Sequence, residues 1–176
     1  MNFQWYPGHM TKAKRQMQED IKLIDLVIEL VDARIPLSSR NPDIDELGKN
    51  KYRLILMNKA DLADPAVTEE WIRYFRAADA GCVAISAKQK GGTTAVKNAI
   101  EKELSGLLER RQNRGMSGAK TQVMLCGIPN VGKSTFINTF AGSARAKAAD
   151  RPGVTKGKQW VSTEKFDLLD MPGVLW

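Results

Sequence analysis

Cysteine and histidine are almost missing from this chain: Cys82, Cys126 and His9 are the full complement among 176 residues. Two cysteines so far apart cannot build a zinc module or a disulfide scaffold. Both stand in apolar, strand-like runs, which predicts buried, reduced thiols in a cytoplasmic protein. No run approaches the roughly 18 apolar residues that a membrane span needs. Lys12, Lys14 and Arg15 interrupt the N-terminus where a signal peptide would place its apolar stretch. Internal repeats and low-complexity tracts are absent, and 43% hydrophobic with 27% charged residues is a globular balance. Negative charge is the scarcer sign. Asp and Glu number 20 against 27 Lys and Arg, a formal net charge of +7 that favours an anionic partner. With no membrane segment in view, nucleic acid fits that charge best.

What is present is an alternation of apolar strands with helical patterns, at a length that suits one α/β domain. Met10, Ala13, Met17, Ile21 and Ile24 recur at helical spacing and predict an amphipathic N-terminal segment over 1–24, ahead of a main domain over 25–176. Strands are predicted at 26–31, 53–57, 82–85, 122–126, 158–163 and 165–170. Asn41-Pro42 and Asp64-Pro65 read as helix starts, the second helix striped by Val67, Trp71, Phe75 and Ala78. A long helix carries Val96, Ile100, Leu104 and Leu107, then gives way to a polar linker at about 110–120. Residues 143–157 lack apolar periodicity and read as a loop. The expectation is a six-stranded, mostly parallel sheet with helices on both faces.

Four motifs carry chemistry. Gly127-Ile128-Pro129-Asn130-Val131-Gly132-Lys133-Ser134 is a full G-x-x-x-x-G-K-[ST] phosphate loop, followed by Thr135. Glycines there let backbone N–H groups turn onto phosphates at a helix N-terminus. Lys133 would reach the β- and γ-phosphates and Ser134 would hold Mg²⁺. Asn58-Lys59-Ala60-Asp61 resembles the guanine-reading motif of GTPases. An Asp61 carboxylate can accept both the ring N–H and the exocyclic amine of guanine, which adenine does not offer; Lys59 would pack along the base, and Asn58 would tie this loop to the phosphate loop. Ser86-Ala87-Lys88 would add the Ala87 N–H toward the guanine oxygen. Asp170-Met171-Pro172-Gly173 matches D-x-x-G, with Asp170 on Mg²⁺ through water and the Gly173 N–H on the γ-phosphate. Thr155 is the candidate switch threonine for Mg²⁺ and γ-phosphate. In an ordinary GTPase the guanine-reading motifs follow the phosphate loop. Here they precede it, so the chain reads as a circularly permuted P-loop GTPase.

Two departures bear on mechanism. Val174 and Leu175 stand where a water-orienting glutamine usually follows D-x-x-G, so another polar group or a partner must supply that role. His9, beside Pro7-Gly8, is a candidate for it, with packing or RNA contact as the alternative. Asn130 occupies the phosphate-loop place where potassium-activated GTPases coordinate K⁺; a plain loop-stabilising asparagine is the alternative. Basic residues gather at Lys12-Ala13-Lys14-Arg15, at Arg110-Arg111 to Arg114, and at Lys147, Arg151, Lys156 and Lys158. They flank these elements and tilt the reading toward RNA.

Together these residues resemble the ribosome biogenesis GTPase A family. The segments that carry the resemblance are Trp5-Tyr6-Pro7-Gly8-His9-Met10, Leu30-Val31-Asp32-Ala33-Arg34-Ile35-Pro36 and Ser39-Arg40-Asn41-Pro42. To these are added Asn58-Lys59-Ala60-Asp61, the phosphate loop, Arg151-Pro152-Gly153-Val154-Thr155 and Asp170-x-Pro172-Gly173, so that essentially the whole chain is covered. The resemblance implies a spatial strand order of 5-6-4-1-2-3, with strand 5 antiparallel at one edge. It implies a bacterial assembly factor for the large ribosomal subunit, contacting rRNA and timing its release by GTP hydrolysis, with His9 in place of the missing glutamine. GTP and GDP as ligands, Mg²⁺ and K⁺ complete that expectation; the sequence does not fix the oligomeric state, and a monomer is favoured. The family continues into a helical C-terminal RNA-contacting domain, whereas this sequence stops at Trp176, which points to a shortened or incompletely traced chain. Rival readings are a guanine-nucleotide-gated RNA-binding sensor with little hydrolysis, a permuted GTPase of the small subunit, and a P-loop kinase or ATPase, against which Asp61 argues.

Overall fold

The computed structural model describes residues 8–89, 91–143, 147–148 and 159–171; residues 8–11, 13–14, 143, 147–148 and 159 are described by their backbone alone. In chain order the elements are α1 (Gly8–Asp20), closed by a 3₁₀ turn at Ile21–Leu23, then β1 (Leu26–Asp32), α2 (Asp43–Leu47), β2 (Tyr52–Asn58), α3 (Pro65–Ala77) and β3 (Gly81–Ala84). There follow α4 (Gly92–Asn113), β4 (Thr121–Cys126), α5 (Lys133–Ser143), β5 (Lys147–Ala148), β6 (Gln159–Ser162) and β7 (Phe166–Asp170).

These strands make one sheet in the order β3-β2-β1-β4-β7-β6-β5. The β3-β2, β2-β1, β1-β4 and β4-β7 pairs are parallel, and β7-β6 and β6-β5 are antiparallel. Every residue of β1 is buried, the run expected of a strand with both faces covered. Alternation sends Leu26, Ile28 and Leu30, with Leu54, Leu56, Val123 and Leu125, to one face, where Val96, Ile100 and Leu104 of α4 and Phe136 and Phe140 of α5 cover them. On the other face Val27, Met124, Cys126 and Leu169 meet Met17 of α1 and Ile44 of α2. Val31, Ile55 and Met57 meet Ile72 and Phe75 of α3.

The expected strand order holds for the six long strands, and the sheet gains a seventh, the two-residue β5 within the stretch read as a loop. Its neighbours 144–146 and 149–158 lie outside the described residues. The α3 stripe is rotated from the expected one. Thr68, Ile72 and Phe75 face the core while Val67 is 50% exposed, because the Asp64 cap fixes the first turn by accepting from the Ala66 and Val67 N–H groups. The α4 helix runs through Arg110 and Arg111 to Asn113, so the connection to β4 begins only at Arg114. Good helix formers and two arginines at the negative end of the helix dipole prolong it.

Candidate nucleotide-binding site

The carboxyl ends of β1, β2 and β4 open onto a cavity of about 760 Å³, the place where parallel α/β sheets bind ligands. Between β4 and α5 the chain turns through Gly127–Gly132. A Cβ on Gly127 would lie 2.9 Å from Val131 Cγ2 and 3.3 Å from the Leu30 carbonyl oxygen, so backbone packing requires glycine there. Asn130 and Gly132 both have positive φ, 70° and 94°, which folds the loop back on itself. The Phe136 N–H then donates to the Gly132 carbonyl at 2.9 Å as α5 begins. Ser134 and Thr135 are exposed on the cavity. Lys133 donates to the Met171 carbonyl, and its Nζ lies 3.0 Å from Asp170 Oδ1, closing the phosphate loop against the end of β7.

The Asn58-Lys59-Ala60-Asp61 segment meets the phosphate loop directly. Asn58 is buried, and its Nδ2 donates to the Val131 carbonyl at 2.9 Å while its Oδ1 accepts the Ala87 N–H at 2.9 Å. One amide thus fastens three loops. The sequence reading aims the Ala87 N–H at a guanine oxygen; in this structure it is taken by Asn58, and Ala87 acts as an anchor for that side chain. The Ala87 carbonyl accepts from Thr139 Oγ1 of α5 at 3.0 Å. Lys59 adopts a left-handed φ of 60° and donates from Nζ to the Asn130 carbonyl at 2.8 Å. Asp61, Ser86 and Lys88 stand on the same cavity wall, with Pro129 across the opening.

One residue with no assigned role in the sequence reading joins this wall, Arg34, and Asp32 holds it in place. Asp32, at the end of β1, accepts from the Arg34 backbone N–H at 2.9 Å, from Nε at 3.0 Å and from Nη2 at 2.7 Å. Those bonds hold the Asp32 carboxyl down to about 2, against burial, which pushes it the other way. Arg34 lines the cavity. A charged pair at the carboxyl end of a buried strand was the signal available in the sequence. The Cys126 thiol, one residue before the phosphate loop, is pushed up to about 12 by burial and stays a neutral packing group.

Asp170 Oδ1 is buried with the Lys133 ammonium 3.0 Å away, and both Asp170 and Ser134 line the cavity. A carboxylate oxygen and a hydroxyl on one cavity are hard donors that fit Mg²⁺. Asn130, the K⁺ candidate, is exposed on the rim and offers one neutral side-chain oxygen. No cluster of three or more His, Cys, Asp or Glu occurs among the described residues, and none of their helices is long and apolar enough to cross a membrane. His9 lies in the first turn of α1, described by its backbone; Thr155 and Gly173 lie outside the described residues. The structure therefore brings together Asn58, Lys59, Asp61, Ser86, Ala87, Lys88, the 129–135 loop and Asp170.

Comparison with known proteins agrees with this architecture. A family described as 50S ribosome-binding GTPase matches residues 122–176. Ribosome biogenesis GTPase A of Priestia megaterium is 47% identical over all of this chain and 62% of its own length. The protein of that name from Bacillus cereus is 47% identical, over 100% of this chain and 60% of its own. A crystal structure of GNP-bound YlqF from T. maritima superposes with a TM-score of 0.64 at 30% identity, covering 94% of this chain and 59% of that one. The chain thus spans about three fifths of the length of the relatives it matches. Its fold is that of a circularly permuted P-loop GTPase domain, matched from end to end by ribosome biogenesis GTPase A proteins.

Proposed function

We propose that this chain is the nucleotide-switch portion of a cytoplasmic, monomeric GTPase that assists assembly of the large (50S) ribosomal subunit and contacts rRNA. One observation carries the reading. Asn58 and Lys59 hydrogen-bond to Val131 and Asn130 of a phosphate loop that follows them far along the chain, so Asp61 and Lys133 line a single cavity. Asp61 accepts the two N–H groups of guanine, and Lys133 leaves Asp170 to meet the β- and γ-phosphates. Mg²⁺, held by Ser134, Thr155 and Asp170, would neutralise charge on the β- and γ-oxygens. The Gly173 N–H holds the γ-phosphate, and His9 orients the attacking water in place of the residue that Val174 displaces. Water oxygen bonds to the γ-phosphorus as its bond to the β–γ bridging oxygen breaks, releasing GDP and phosphate. K⁺ on Asn130 would supply the positive charge that an arginine finger gives elsewhere.

The test is GTP turnover by the full-length protein in K⁺ buffer, with purified large subunits, with small subunits, and with neither. Stimulation of about tenfold or more by large subunits alone is the expected result. Replacing K⁺ by Na⁺ should remove most of it, and His9→Ala should abolish it while leaving GTP binding intact. Val174 and Leu175 favour a second reading, a GTP-gated RNA binder with little hydrolysis. Tight GTP binding without turnover beside either subunit would select it.

A further inference from the structure

The loop after β1 stands at the nucleotide cavity although the GTPase motifs give it no task. Asp32 is nearly buried, with 8% of its side chain exposed, and pairs in register with Asn58 across the β1-β2 ladder. Its N–H donates to Ser39 Oγ at 2.8 Å, and the Ala33 N–H donates to the Asn58 carbonyl at 2.8 Å. The carboxylate position is therefore set by backbone on two sides. Arg34 supplies three of its hydrogen bonds. Lys59 Nζ supplies a fourth contact, 3.4 Å from Oδ2, while donating to the Asn130 carbonyl at 2.8 Å.

Lys59 and Asn130 are non-glycine residues held at positive φ, 60° and 70°. Such conformations persist where surrounding contacts over-determine them, and they gather at functional sites. The bond between Lys59 and Asn130 spans the guanine-reading loop and the phosphate loop. Arg34 alone already neutralises Asp32, so burial of that carboxylate does not require Lys59. What the second contact does is fix the direction of the ammonium, which otherwise sits on a long, flexible stem with one carbonyl to hold it.

We propose that Asp32 is a positioning residue for guanine-nucleotide binding, acting through Lys59 to lock the guanine-reading loop onto the phosphate loop. Arg34 holds the Asp32 carboxylate in the plane that presents Oδ2 to Lys59. Because the relay ends on the Asn130 carbonyl and not on Lys133 or Asp170, the groups that face the β- and γ-phosphates, GDP and GTP should depend on it equally. This inference rests on the guanine-nucleotide reading of the site.

The experiment is a double-mutant cycle on GDP affinity, read by fluorescence titration of the full chain, with thermal melts as the folding control. Asp32→Asn keeps the shape and removes the charge, and should weaken GDP and GTP alike by about tenfold. Lys59→Ala should weaken them at least as much, and adding Asp32→Asn to it should cost less than about twofold more, because the group it acts through is gone. Asp32→Glu, which keeps the charge, should recover most of the affinity and decides the matter if Asp32→Asn does not fold. Additive losses, or Asp32→Glu binding no better than Asp32→Asn, would overturn the inference while leaving the proposed function standing. A wild-type chain that binds no guanine nucleotide would overturn both.

Discussion

Gly132 is required twice over. Its φ of 94° disfavours any L side chain, and an added Cβ would lie 2.4 Å from Asn58 Nδ2. That amide cannot swing aside cheaply, since it is bonded to Val131 and Ala87. Gly132→Ala should cost roughly 1–3 kcal/mol of stability in a denaturant titration and cut nucleotide affinity sharply. The sequence motif marks this glycine, but not Asn58 as its neighbour. Asp32 titrates with a sign that can be worked out. Its folded pKa of about 2 lies below the ordinary 3.8, so its stabilisation is complete above that ordinary value and fades as pH falls toward 2. Asp32→Asn should therefore flatten the acid limb of melting temperature against pH in that window, and leave the neutral limb parallel to wild type. Cys82 and Cys126 are both buried and pushed up to about 12, so a thiol reagent should label neither at neutral pH until denaturant is added.

Between β1 and β2 a buried ion network fixes the path of the chain. Glu29 is 2% exposed and accepts from Arg40 at 2.7 Å and from the Asn41 N–H at 3.0 Å, with Arg53 at 3.7 Å. Arg40 and Arg53 both reach Asp45 of α2 at 2.7 Å. Burial pushes the Glu29 carboxyl up, and the arginines oppose it. Arg40→Ala would strand that carboxylate and should destabilise the fold by about 3 kcal/mol, measured by urea unfolding, whereas Val67→Ser on exposed α3 surface should change it by less than about 0.5 kcal/mol. The same contrast shows what pattern reading can see. Buried strands such as β1 and β4 are continuous apolar runs and were legible to within a residue or two. The α3 stripe was misread because Val67 and Ala78 carry an apolar label at exposed positions, whereas Trp71 packs partly buried against Phe75. The Glu29–Arg40 bond joins residues for which the sequence names no partner, and only packing reveals it. At the cavity, motif residues were legible because phosphate chemistry fixes their spacing; the Asn58–Ala87 and Lys59–Asp32 bonds were not, because they depend on which strand ends become neighbours.

At the scale of the whole molecule, motif order and site geometry are independent. Parallel pairing of β4 with both β1 and β7 places the phosphate loop between the loops carrying Asn58 and Ala87 and Asp170, whichever segment comes first along the chain. What the permutation requires is a connection from α4 to β4 at the edge opposite the cavity, and this is the exposed stretch 114–120. Its ties sit at its two ends: Lys120 Nζ donates to Ser162 Oγ at 2.7 Å, and just outside the stretch Arg111 Nη2 meets Asp25 Oδ1 at 2.9 Å and the Gln122 N–H donates to Asp25 Oδ2 at 2.9 Å. Gly118 has open space where a Cβ would go. Lengthening a flexible closure costs only about 0.6 kcal/mol per doubling. Six Gly/Ser residues inserted after Gly118 should therefore shift unfolding free energy by less than about 1 kcal/mol and leave GDP affinity within about twofold of wild type. The same insertion between Gly127 and Gly132 should eliminate binding. Loss of affinity from the Gly118 insertion would mean that the connection helps to shape the site, and that the order of the segments matters to its geometry after all.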